Sequence, residues 1–258
     1  MMTQNERRLY LIEALLDEQP KYRNIEIPQD DIQQKQLLRS LFNVRMPSPI
    51  SKEFLIVQDE YLKEETAQKG ITKLSDLSPV EDNIYLWKGD ITILECGAVV
   101  NAANSGMTGC YVPCHNCIDN CIHTFSGIQL RNECERIMQE QGYEEPTGKA
   151  KITQAYNLPC DYVIHTVGPI VQGQLTDEHC TLLAGCYKNC LELAVKNGIE
   201  SIAFCCISTG VFGFPQRKAA EIAVETVREF LQKHNIKVIF NVFRGDDHEI
   251  YKELLSGN

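Results

Sequence analysis

Apolar residues recur at helical spacing along the first eighty positions. In "NERRLYLIEALLDEQ", Leu9, Ile12, Leu15 and Leu16 fall on one stripe, and Pro20 ends it. "QDDIQQKQLLRSLFNVR" repeats the pattern with Ile32, Leu37, Leu38 and Leu41, until Pro47 and Pro49 break it. "SKEFLIVQDEYLKEETAQKG" predicts a third helix, with Ser51 as its N-cap and Gly70 as its stop. These stripes hold few residues for a core of their own. They predict a helical extension, residues 1–80, packed on the remainder of the chain. Its helices either only complete the fold or bring Arg45 and the Pro47–Pro49 segment to the edge of a ligand site.

From residue 83 the pattern changes. Short β-branched or apolar runs appear at 83–87, 98–102, 150–156, 162–167, 201–207 and 237–243. Helical patterns lie near 119–140, 178–197, 215–234 and 246–255. Strands separated by ten or more residues of helical pattern predict a mainly parallel sheet with helices on its faces. Such sheets bind ligands beyond the carboxyl ends of their strands. That directs attention to five loops: "KGDIT", "NAANSGMTGC", "TVGP", "STGVFGFP" and "RGDDH". The only plausible boundary is the "KLSDLSPVED" stretch.

Charge changes the picture by exclusion. The 258 residues carry a formal net charge of −10, a poor match to nucleic acid, which needs clustered Lys and Arg. An anionic ligand remains compatible, because backbone N–H groups at helix starts and glycine loops hold phosphate without net basic charge. The start lacks the apolar core and cleavage site of a secretory signal, and no run reaches the roughly 18 apolar residues of a membrane span. The expectation is a cytoplasmic chain with no membrane partner. Its twelve cysteines are then mostly thiols or metal ligands. Cys186 and Cys190 in a helix, and Cys205 and Cys206 in a strand, read as small buried hydrophobes.

The loops carry the candidate chemistry. Asp90 follows a strand directly and either accepts hydrogen bonds from an amine or caps the next turn. Asn101 and Asn104 end an apolar strand among small residues, suited to reading sugar hydroxyls or to turn formation. Ser208, Thr209, Gly210, Val211, Phe212, Gly213 and Phe214 lie between a strand and a helix that begins near Pro215. Glycines there let N–H groups converge on an anion, beside the positive end of the helix. Phe243 closes the last strand, either as core or as a platform for a flat heterocycle.

Five motifs in order, "KGDITIL", "AVVNAANSG", "IDNCIHTFSG", "PTGKAKITQAYNLPCDYVIHTVGP" and "ISTGVFGFP", strongly resemble the macrodomain, an ADP-ribose-binding α/β module. The resemblance covers residues 81–258 and implies an α/β/α sandwich with a mixed, largely parallel sheet. It implies that Asp90 bonds the adenine amino group, with Ile91 adding a backbone contact and Phe243 stacking on the ring. The 208–214 loop would hold the diphosphate, and Asn101 and Asn104 would approach the distal ribose. Asp119 matches the acidic residue of the hydrolase-type pattern, and His123 its more structural histidine.

One stretch departs from that pattern. "GCYVPCHNCIDNCIH" packs four cysteines and two histidines into fifteen residues, where a glycine-rich loop is usual. It looks like the zinc-containing subclass, whose members also carry an N-terminal helical extension. Cys110, His115 and Cys117 lie on a loop bent by Pro113 and form the expected Zn²⁺ ligand set, with Cys114 as the substitute. The expected function is zinc-dependent hydrolysis of mono-ADP-ribosylated protein, at the bond between C1″ and a modified, acidic side chain. Asn104 would fix the ribose and Asp119 would orient water or act as base. Three alternatives stand beside it: a reader of ADP-ribose with a structural, four-ligand zinc; metal-free thiols; and a thiol redox sensor. By resemblance, a lipoate-linked carrier protein is a candidate substrate.

Overall fold

Each helix of the extension begins where a side chain satisfies its free amides. Thr3 and Glu6 form a reciprocal capping box ahead of α1 (Gln4–Asp17). Asp30 accepts from Gln33 N to start α2 (Asp31–Val44), and Ser51 accepts from Phe54 N at 3.1 Å to start α3 (Lys52–Lys69). The computed structural model describes residues 2–257. Contrary to the expectation from the stripes, the extension has a core of its own. Leu11, Ile12, Leu15, Leu38, Leu41, Phe42, Phe54, Val57, Tyr61 and Leu62 are all buried in one cluster. The third helix supplies what the stripes alone do not reveal, and one residue of the following domain, Ile128, enters the same cluster. Arg45 is held by the extension itself. Its guanidinium forks onto both carboxylate oxygens of Glu18, at 2.7 and 2.8 Å, and its side chain is buried.

The remaining chain builds a seven-stranded sheet in the order β2 (Pro79–Glu81), β3 (Ile84–Lys88), β9 (Lys237–Val242), β8 (Ser201–Phe204), β5 (Ala98–Ala103), β7 (Tyr162–Val167), β6 (Ala150–Gln154). The five inner strands run parallel and the two edge strands antiparallel. Two further two-residue strands, β1 (Thr72–Lys73) and β4 (Leu94–Glu95), pair beside it. One face carries α6 (Asp177–Lys196), α7 (Gln216–Leu231) and α8 (Gly245–Ser256) over Ile202, Phe204, Val238 and Phe240. The other carries α4 (Ile118–Ser126) and α5 (Ile128–Gln141) over Val99, Ala103, Val163 and Ile239. This is the expected α/β/α sandwich with a mixed, mostly parallel sheet. Among the described residues, no helix is long and apolar enough to cross a membrane. Cys186 and Cys190 are fully buried on α6, whereas β8 ends at Phe204 and leaves Cys205 and Cys206 just beyond it.

The helical pattern over 119–140 is two helices, broken at Gly127. Its φ of +96° is open to glycine and strained for other residues. A Cβ there would also lie 2.6 Å from Gln129 Oε1 and 2.7 Å from Gln58 Nε2. Gln58, on α3, accepts from Ile128 N at 3.0 Å, so the break is also where the extension is tied to the sandwich. Gly127→Ala should lower stability by about 2 kcal/mol or more, read as a drop in the urea midpoint at unchanged slope.

Candidate active site

The predicted residues gather at the carboxyl ends of the parallel strands. After β3, Asp90 turns one carboxylate oxygen back to its own loop, accepting from Thr92 N at 3.0 Å and Thr92 Oγ1 at 2.6 Å. The other oxygen lies 3.6 Å from Lys69 Nζ of α3. Ile91 is buried, in the core under α4 and α5. Phe243, directly after β9, is 76% exposed and has no aromatic or cationic partner among the described residues. An exposed aromatic ring at a strand end is able to stack on a flat ligand.

After β8 the chain enters a tight turn. Phe214 N donates back to Ser208 O and Gly213 N to Gly210 O, both at 3.0 Å. The N–H groups of Gly210, Val211 and Phe212 find no acceptor among the described residues. Three consecutive free amides before the start of α7 make a nest for phosphate oxygens. Ser208, buried at φ +64°, packs against Gly168 of the "TVGP" loop, where an added Cβ would lie 2.1 Å from Ser208 Oγ. Val211 is 83% exposed, while Phe214 is buried and serves the core instead of the opening.

The third part centres on Asp119, in the first turn of α4 and 5% exposed. Asn101 Nδ2 donates to its Oδ1 at 2.8 Å, and Asn104 Nδ2 donates to its Oδ2 at 3.2 Å. Asn104 also holds Gly109 O at 3.1 Å and accepts from Gly106 N at 3.0 Å. Burial pushes the carboxyl up to about 6, against the pull of the two amides and of Arg131. Asn101 departs from its expected place. It is fully buried, so it cannot touch a sugar, and its amide supports Asp119 from behind. His165 Nδ1 takes its second amide proton at 3.1 Å, and His165 Nε2 then donates to Thr153 Oγ1 at 2.9 Å. A flipped Asn101 would aim its oxygen at the carboxylate, so this chain of partners fixes the amide one way round.

Between Asn104 and Asp119 lies the cysteine-rich loop. The ligand atoms of Cys110, His115 and Cys117 all fall within 4.8 Å of one another, and Cys110 Sγ is 3.5 Å from His115 Nδ1. Zn–S and Zn–N bonds of about 2.3 and 2.0 Å at a tetrahedral angle give an S···N edge of about 3.5 Å, so the donor set fits zinc. Burial drives the Cys117 thiol up to about 12, and the nearby Cys110 sulfur adds to the rise. A bound dication reverses that preference by stabilising thiolate. Cys114, the expected substitute, points away. Its sulfur lies 3.3 Å from Ser40 Oγ and donates to Gln36 O at 3.4 Å, both on α2. A second cluster, His123, Cys134 and His165, is wholly buried, and His165 there is already satisfied by Asn101 and Thr153. A cavity of about 800 Å³ opens at the opposite end of the strands around Lys73, Tyr85, Glu95 and Lys237, and contains none of the predicted residues.

Residues 100–223 match the Macro domain model. A protein-ADP-ribose hydrolase of Treponema medium is 62% identical over 99% of this chain and all of its own length. Among solved structures, the macrodomain of Trypanosoma brucei in complex with ADP-ribose is 29% identical, with a TM-score of 0.65 over 84% of this chain and 94% of its own. The Oceanobacillus iheyensis macrodomain with ADP is 38% identical, with a TM-score of 0.63 over 70% and 94%. The chain belongs to the macro domain family.

Several residues that position this macrodomain's site carry no motif. Arg131 donates to the carbonyls of Phe42, Asn43 and Arg45 at 2.7–3.0 Å and lies 4.4 Å from the centre of the Tyr111 ring. It thereby closes the end of α2 beside the cysteine-rich loop. Lys69 sits 3.6 Å from the Phe125 ring centre as well as beside Asp90. Neither residue's contacts have a local sequence signal, because they join the extension to the sandwich between positions distant in the chain.

Burial lowers His165 to about 3 and lowers His123 in the same direction. The unfolded chain takes up these protons near pH 6.5 while the folded macrodomain refuses them, so stability falls as pH drops from 6.5 toward 3. Urea midpoints across that window should fall less steeply for His165→Gln than for the wild type.

Proposed function

We propose that this macrodomain frees acidic side chains from ADP-ribose with a zinc ion held by Cys110, His115 and Cys117. The chain is a hydrolase of the protein-ADP-ribose hydrolase type, on its full-length match to a relative of that name. The finer reading is carried by one observation: the three converging ligands stand on the loop between Asn104 and Asp119, two residues already hydrogen-bonded to each other at 3.2 Å.

Phe243 stacks on the adenine, and the Asp90 oxygen that lies beside Lys69 accepts from its amino group. The amides of Gly210, Val211 and Phe212 hold the diphosphate, so the distal ribose falls beside Asn104. Asn104 fixes that sugar. Asp119 orients a water toward C1″ and takes its proton as the bond to the side-chain carboxylate breaks. The products are free ADP-ribose and the restored carboxylate. Zinc at these ligands would supply Lewis acidity toward a ribose oxygen or lower the pKa of a bound water. Cys114, hydrogen-bonded to α2, is turned away from a fourth ligand position, which favours an open shell over the closed, four-ligand shell of a structural zinc. A lipoate-linked carrier protein is the substrate suggested by the family resemblance, and a reducing cytoplasm suits a site of free thiols.

Purified wild type should contain about one zinc per chain and lose turnover on chelation. Cys117→Ala should lose both metal and turnover. Asp119→Ala should lose turnover by about 100-fold or more while binding ADP-ribose within a few-fold of wild type. Unaltered hydrolysis of a modified protein by both variants, followed by release of labelled ADP-ribose, would refute this mechanism.

A further inference from the structure

The metal loop has little regular structure of its own, and α2 of the extension meets it along one face. Gln36, Arg39, Ser40 and Asn43 are spaced i, i+3, i+4 and i+7, which aligns them on a single side of the helix. Arg39 Nη2 donates to the carbonyl of the ligand His115 at 2.7 Å and to Asn120 Oδ1 at 3.1 Å. With its oxygen so held, Asn120 turns its Nδ2 to the carbonyls of Cys110, another ligand, at 3.2 Å and Val112 at 3.0 Å. Asn43 Oδ1 accepts from Cys114 N at 2.8 Å, and Asn43 Nδ2 donates to Thr124 Oγ1 of α4 at 2.8 Å. Cys114 has a φ of +52°, a strained value for a side chain with a Cβ, and the α2 contacts hold it there.

We propose that α2 presets the metal loop, with Arg39 and Asn43 as positioning residues for the ligands Cys110, His115 and Cys117. The proposal rests on the zinc reading above for the identity of what the loop receives. Neither residue touches metal or substrate. Each takes up a backbone group that would otherwise let the loop relax, so the ordering cost is met before the ion arrives. The extension, on this account, is part of the metal site.

The test measures zinc affinity by competition with a chromogenic chelator, and amide hydrogen exchange over residues 110–117 in the zinc-free full-length protein. Arg39→Met should weaken zinc about tenfold and speed exchange in that segment, with partial rescue by Arg39→Lys. Arg7→Met, which removes an extension cation paired with Glu60, should do neither. In Co²⁺-loaded protein, Arg39→Met should shift the visible ligand-field bands. Wild-type zinc affinity together with wild-type loop protection in both Arg39→Met and Arg39→Met/Ser40→Ala overturns the proposal. Should the wild type itself hold no zinc, the zinc reading falls. The exchange arm then decides alone: faster exchange in Arg39→Met keeps α2 as the scaffold of the loop, and unchanged exchange removes it.

Discussion

Asp119 carries a carboxylate into a place that water scarcely reaches, and much of the surrounding structure makes that tolerable. An unpaired buried charge would neutralise or unfold the site. Here each oxygen receives an amide proton, one from the end of β5 and one from the loop after it. Behind the first amide stand His165 of β7 and Thr153 of β6, so three adjacent strands converge on one side chain. The start of α4 supplies the carboxylate, and its N-cap is the Cys117 sulfur of the cysteine-rich loop, which accepts from Asn120 N at 3.4 Å. Moving any of these elements would leave a polar atom without a partner.

That dependence explains why the cysteine-rich loop and the carboxylate lie so close. Asn104 bonds both Asp119 and the carbonyl of Gly109, next to Cys110. The loop leaves the sheet at one anchor and rejoins a helix at the other, two residues before the acid. Cys110, His115 and Cys117 therefore cannot shift without disturbing the buried carboxylate. Cys114 is excluded by the same geometry, because the backbone turn that aims His115 inward sends the preceding side chain to α2.

Much of this is legible in the chain. The helical stripes, the alternation of strands with helices, and the glycine turn after β8 are local patterns, and local patterns survive in sequence. Asn101 reads as a sugar contact because it shares a loop motif with Asn104. Its register argues otherwise: it lies two residues from both Val99 and Ala103, which face the layer under α4 and α5, so the pleat buries it there. Asn104 lies past the strand end and escapes that alternation. The core of the extension is hidden in the sequence because α3 carries its apolar residues in a weak stripe that gains meaning only against α1 and α2. Arg39, Asn43 and Arg131 are invisible for a further reason. Each acts on backbone groups distant in sequence, and a lone arginine or asparagine on a helix gives no clue to which partner it will find.

Phe243 and Val211 stand exposed on the loops of neighbouring strands β9 and β8, both at the same end of the sheet. A ligand that covers them transfers apolar surface out of water while its charged part satisfies the bare amides of residues 210–212. Its association should thus combine a favourable enthalpy from the amides with a negative change in heat capacity from the two side chains. Calorimetry over a range of temperatures would separate these two halves of the same site.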